Sequence, residues 1–203
     1  MVVIGLTGLI GMGKSTTASF FREAGIPVHD SDLAVHQLYA GDGARAIEAV
    51  FPGVTSGGSV NRSILADQVL GDPAKLKRLE SLVHPLIARQ RSEFVEAARK
   101  NGETIVVLDI PLLFETGIDH TIDLVVVATA SEEVQRERVL ARPGMTAERF
   151  EGILARQMPN SEKCRRANFI INTDSGYHNA RRQVQNIIAA IRQNPNAYQG
   201  MRT

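Results

Sequence analysis

Gly8-Leu9-Ile10-Gly11-Met12-Gly13-Lys14-Ser15 fits the spacing G-x-x-x-x-G-K-[ST], and the residues on either side of it decide the fold. Val2–Leu6 before it is a short apolar run that reads as a buried strand, and Lys14–Ala24 after it carries a helical pattern that stops at Gly25. A strand that turns through glycines into a helix builds an anion nest. Successive backbone N–H groups curl inward, and the helix N-terminus adds roughly half a positive charge. In that setting Gly8, Gly11, Met12 and Gly13 supply the loop, with Met12 acting through its N–H. Lys14 is expected to reach the β- and γ-phosphates of a bound nucleotide. The Ser15 hydroxyl is a candidate Mg²⁺ ligand, and the Thr16 N–H can face the α-phosphate.

Further strands are expected at Ile26–His29, Ile105–Leu108, Leu124–Ala128 and Phe169–Ile171. They are Val/Ile-rich without polar alternation, as strands buried on both faces of a parallel sheet are. Helical stretches lie between them: Ser131–Arg142, with Ser131 as N-cap, and Tyr177–Arg192. The alternation predicts a doubly wound α/β sheet.

The spacing is uneven. About 75 residues separate the second strand from the third, far more than one crossover helix needs, so a helical insertion is expected over about 33–100. Within it Asp72-Pro73 opens a helix carrying Leu76, Leu79 and Val83 on one face. Pro85 is expected to break that helix, Leu86–Lys100 to restart it, and Pro52–Ser59 to form a loop. A second insertion, Arg142–Arg166, reads as a basic helical hairpin: eight Lys/Arg against four Glu over residues 136–166, whereas residues 1–60 hold three basic and five acidic side chains. The tail from Asn194 lacks periodicity and is expected to be disordered.

Parallel strands end on one sheet edge, where ligands bind. Asp30 and Asp32 follow the second strand and Asp109 the third, so all three are expected to face the phosphate loop. An Asp closing four apolar residues is the pattern that holds Mg²⁺, and Asp is also common where a strand yields to a loop. Asp30-Ser31-Asp32 offers a carboxylate to accept a hydroxyl proton, or an N-cap for the next helix; one Asp can cap while the other catalyses. Arg138 and Arg142, four apart, are expected on one helix face, either clamping phosphates or solvated. His84 is either packed at the proline break or in contact with an acceptor.

The whole-chain arithmetic excludes other classes. The 203 residues, 43% hydrophobic and 22% charged, suit one core with insertions rather than a disordered chain. A net charge of +1 and 5% aromatics argue against nucleic-acid binding. No apolar run approaches a membrane span, and no basic leader precedes Gly5, so a soluble cytoplasmic protein with no membrane partner is expected. The lone Cys164 allows no internal disulfide and reads as structural or incidental. The oligomeric state is left open.

Taken together the motifs resemble the dephospho-CoA kinase family. The resemblance rests on Gly5–Thr16, which matches G-x-T-G-x-I-G-x-G-K-S-T, on Asp30 and Asp32, and on Leu79–Pro85 as L-x-x-L-x-H-P. It continues through Asp109–Glu115 as D-x-P-L-L-F-E, through Gln135, Arg138 and Arg142, and through Gln157, Lys163 and Asn172. Leu9, Met12 and Ser31 depart from residues common there. The resemblance implies a P-loop NTPase three-layer fold: a five-stranded parallel sheet, an inserted helical domain for the CoA side and a helical lid over about 142–166. It implies ATP with Mg²⁺ as donor, and the ribose 3′-hydroxyl of dephospho-CoA as acceptor. Asp32 becomes the candidate base with Asp30 in support, His84 a substrate contact, and Arg138 and Arg142 catalytic. The alternatives are another small-molecule or nucleotide kinase of the same fold, or a GTPase-like switch. The latter wants an N-K-x-D string that is absent.

Overall fold

The computed structural model describes residues 1–200. Strand β1 (Val2–Thr7) runs through the phosphate loop into helix α1 (Lys14–Glu23), and strand β2 (Val28–Asp30) leads directly into α2 (Ser31–Ala40) and α3 (Asp42–Val50). A small hairpin, β3 (Thr55–Ser56) and β4 (Ser59–Val60), precedes α4 (Arg62–Val69) and the 28-residue α5 (Pro73–Lys100). Then come β5 (Ile105–Asp109), β6 (Leu124–Thr129), α6 (Glu132–Leu140), α7 (Ala147–Leu154), α8 (Asn160–Arg165), β7 (Phe169–Asn172) and α9 (Gly176–Gln193).

The five expected strands form one sheet in the order β2-β5-β1-β6-β7. Neighbours along β5-β1-β6-β7 are parallel, with Leu6 beside Asp109, Thr7 beside Val127 and Thr129 beside Asn172. This register brings the carboxyl ends of the strands level, so β1 delivers the phosphate loop between the ends of β5 and β6. Every residue of β5 is buried, as the unbroken apolar run requires. On one face of the sheet Phe20 and Phe21 of α1, with Val184, Ile187, Ile188 and Ile191 of α9, pack on Ile4, Leu6, Val107, Leu124 and Val126.

The chain divides into two units, Met1–His29 with Ala98–Thr203, and Asp30–Ala97. The second has its own core, in which Leu38, Ile47, Phe51, Val54, Leu65, Val69, Leu79 and Val83 are buried together. Asp72 caps α5 as expected, its Oδ1 accepting from Ala74 N and Lys75 N at 3.0 and 3.1 Å.

Three expectations are corrected. The helix does not break at Pro85: α5 runs through it, although proline removes one backbone bond at a cost of about 3 kcal/mol. Leu79 and Val83 before it, and Leu86 and Ile87 after it, pack on the same core, which offsets that cost. Pro52–Ser59 is not all loop. Thr55–Ser56 pairs with Ser59–Val60 across Gly57-Gly58, a dipeptide suited to a two-residue hairpin turn. The Glu48 carboxylate braces it by accepting from Gly53 N, Thr55 N and the Thr55 hydroxyl, bonds that hold its pKa below the usual carboxylate range. Finally, the segment after Asn194 is ordered through residue 200: Tyr198 packs on Phe169, and Gly200 N donates to Asp123 Oδ1 at 2.8 Å. The rest of that expected disordered tail, 201–203, lies outside the described residues.

Candidate active site

The loop between β1 and α1 needs two left-handed residues, and Gly11 and Gly13 supply them at φ of 80° and 83°. Gly13 occupies the N-cap position of α1 with no side-chain cap. The N–H groups of Gly11, Gly13, Lys14, Ser15 and Thr16 have no acceptor among the described residues. A helix start left open in this way is an anion site in waiting.

Side chains from three other elements fix the loop's frame. The Gln135 amide of α6 donates to Ile10 O at 2.7 Å, and Gln157 Oε1, from the turn after α7, accepts from Ile10 N at 3.2 Å. The Thr173 hydroxyl, at the end of β7, donates to Met12 O at 3.2 Å. Met12 Sδ accepts from Ala130 N at 2.9 Å, and Leu9, Met12 and Ala130 form a small buried cluster with Val134 and Leu154 against it.

Lys14 leaves the head of α1 and meets the end of β5, its Nζ lying 2.5 Å from Asp109 Oδ1. Asp109 is 2% exposed. The structure thus joins two of the expected site residues, Lys14 and Asp109. Ser15 is exposed on the first turn of α1. The donors suit Mg²⁺, which takes hard oxygen ligands and normally only one or two from protein, the phosphates and water completing its shell. No group of three His, Cys, Asp or Glu suited to a metal occurs among the described residues.

The arginines are placed differently from each other. Arg138 is engaged: Nη1 donates to Thr173 Oγ1 at 2.8 Å and Nη2 to Thr173 O at 2.8 Å, with Nη1 also 3.5 Å from Gly11 O. Arg142 is exposed, and its guanidinium has no partner among the described residues. The expectation that both share one helix face is corrected, because α6 ends at Leu140 and Arg142 stands in the turn beyond it, its N–H bonded to Val139 O.

Of the basic segment 142–166, α7 buries Phe150, while α8 is tied to the sheet unit. Lys163 is fully buried and reaches Glu115 Oε1 at 2.8 Å; Glu115 Oε1 also accepts from Met158 N at 2.8 Å. Burial alone would raise the Glu115 pKa, but the bonds from Lys163 and Met158 outweigh it and hold the carboxyl below its usual value. Arg166 pairs with Asp119 at 2.7 Å and lies over the Phe114 ring.

In the second unit, Asp30 caps α2 by accepting from Leu33 N at 3.0 Å. Asp32, in the first turn of α2, is exposed and without a partner among the described residues. His84 is exposed on α5, which excludes a packed histidine.

Thr173 was not among the expected site residues. Its one signal is position, directly after a strand that ends on the ligand edge. Gln135 and Gln157 were visible only as motif members, because no spacing rule foretells that both would close on one residue of the loop.

The model of the dephospho-CoA kinase family matches residues 2–179. A dephospho-CoA kinase of Mesorhizobium japonicum is 57% identical over 192 residues, 95% of this chain and 98% of its own. One of Rhodopseudomonas palustris is 51% identical over 195 residues, 96% of this chain and 98% of its own. A solved Thermus thermophilus protein, 33% identical, superposes with a TM-score of 0.82 over 93% of this chain and 96% of its own.

Proposed function

The chain belongs to the dephospho-CoA kinase family, and from that premise we infer that it transfers the γ-phosphoryl group of ATP to the ribose 3′-hydroxyl of dephospho-CoA, giving coenzyme A and ADP, the last step of CoA synthesis. The observation that carries the donor half is the set of N–H groups of Gly11, Gly13, Lys14, Ser15 and Thr16, which have no acceptor among the described residues.

Phosphoryl transfer asks for alignment and charge neutralisation more than for covalent work. The nest amides bind the β-phosphate region, and Lys14 exchanges Asp109 for phosphate oxygens as nucleotide enters. Ser15 and Asp109 would hold Mg²⁺, which when bound neutralises charge between the β- and γ-phosphates. Asp32 is the proposed base. It stands free of structural bonds, so it can orient the acceptor hydroxyl and take its proton, while Asp30 keeps the helix start beneath it in place. Arg142, equally uncommitted, is the proposed clamp on the transferring oxygens, whereas Arg138 stiffens the loop through Thr173. The helical unit takes the CoA side, with His84 as a proposed contact. Residues between Arg142 and Gln157 are the proposed moving cover, because from Met158 on the segment is bonded to Glu115.

The discriminating experiment incubates the protein with ATP and Mg²⁺ and either dephospho-CoA, adenosine, a nucleoside monophosphate or no acceptor, and follows ADP release. Turnover is expected with dephospho-CoA. Turnover on a nucleoside monophosphate but not on dephospho-CoA would assign a nucleotide kinase instead. The protein is expected to act in the cytoplasm; no helix among the described residues is long and apolar enough to cross a membrane.

A further inference from the structure

We propose that Thr173 and Gln135 are positioning residues that set the direction of two peptide planes in the phosphate loop and thereby the loop's affinity for nucleotide. The proposal rests on reading the loop as a nucleotide site.

A trans peptide is planar, with its C=O and N–H pointing in opposite directions, and the chain has no cis peptide. Whatever holds a carbonyl therefore aims the N–H of the following residue away from itself. Gln135 holds Ile10 O, which turns Gly11 N–H away from α6. Thr173 holds Met12 O, which turns Gly13 N–H away from β7. These two N–H groups are among those without an acceptor, and they belong to the two residues with positive φ. Glycine rotates easily at such positions, so without the anchors each plane is free to turn and present a carbonyl oxygen to the anion instead.

The direction of the Thr173 bond is forced. Its hydroxyl lies 2.8 Å from Arg138 Nη1, and a guanidinium only donates, so the oxygen accepts there and its own proton is left for Met12 O. Arg138 Nη2 on Thr173 O fixes the same residue a second time. Thr173 is 7% exposed and its methyl group packs against Gly13: a Cβ there would lie 2.9 Å from Cγ2, so the fit leaves no room for drift. At Ile10 a second bond, from Ile10 N to Gln157, fixes the preceding peptide plane as well.

The test compares Thr173→Val, which keeps shape and removes the hydroxyl, with Thr173→Ser, which keeps the hydroxyl. ADP affinity is measured by calorimetry, and the Gly13 amide is followed by ¹⁵N-labelled NMR. Losing one such anchor is expected to weaken ADP binding in the valine variant about tenfold and to move the Gly13 amide resonance in the free protein. The serine variant should bind like wild type. Valine binding as tightly as wild type overturns the proposal, and so does serine binding as weakly as valine, since the hydroxyl would then not be the cause. Wild type failing to bind ADP would instead sink the nucleotide-site reading, a result distinct from either. If Thr173→Val does not fold, Gln135→Met reads the same effect at the Gly11 amide, with unchanged ADP affinity counting against the proposal.

Discussion

The Lys14 ammonium sits 2.5 Å from the Asp109 carboxylate, so the first residue of α1 and the last of β5 are bound to each other. Lysine is held at the proposed phosphate site, and the buried carboxylate has a cation beside it. The pair therefore links activity to stability. Lys14→Ala is expected to abolish transfer, a loss of about 10²–10³ or more. It should also cost up to about 3 kcal/mol, because Asp109 stays buried without this partner. The double variant Lys14→Met/Asp109→Asn should regain stability in urea denaturation without regaining turnover; a single variant as stable as wild type would show the pair to be idle.

Asp30 and Asp32 separate cleanly. Asp32→Asn should lower kcat by about 10²–10⁴ with the melting temperature and the KM for ATP unchanged, since the side chain is exposed and bonds to nothing described. Asp30→Ala should cost about 1 kcal/mol through loss of the α2 cap, while Asp30→Asn keeps that stability. Normal turnover in Asp32→Asn would move the base elsewhere.

Arg142→Ala is expected to reduce kcat at least tenfold while thermal unfolding stays put, because the guanidinium makes no bond among the described residues. Arg138→Ala should instead lower the melting temperature by removing the bonds to Thr173. Equal melting shifts in the two variants would contradict this division of labour.

Glu115 makes stability depend on acidity in a definite direction. Its folded-state pKa lies below the unfolded one, so its contribution is fully present above the unfolded carboxylate value of about 4.3 and is lost as pH falls through the lower folded value. Urea titrations of wild type and Glu115→Gln should therefore differ most near neutrality and converge in acid. A constant gap across that range would remove the ion pair with Lys163 from the account.

Much of this architecture was readable from residues alone. The five strands show as uninterrupted Val/Ile runs because burial on both faces leaves them no polar alternation, and the phosphate loop shows because only glycine tolerates the turns at 11 and 13. The failures share a cause. Pro85 and the Gly-rich segment 52–59 were read by local propensity, which tertiary packing overrode in one case and a hairpin register redirected in the other. Arg138 and Arg142 look like a pair by spacing, yet the helix ends between them. Thr173, Gln135 and Gln157 act across 125 to 161 residues of sequence, and no periodicity reports contacts of that range.

The pairing of β1 has a consequence during synthesis. Val2 takes its place beside Ile105 and Ile4 beside Leu124, so the first strand made is flanked on both sides by strands made more than a hundred residues later. At ribosomal speeds of about 5–20 residues per second, Val2–Thr7 waits about 5–20 s with both edges unpaired. A nascent chain in that interval is a natural client for a holding chaperone, and slowing translation should increase its aggregation rather than relieve it.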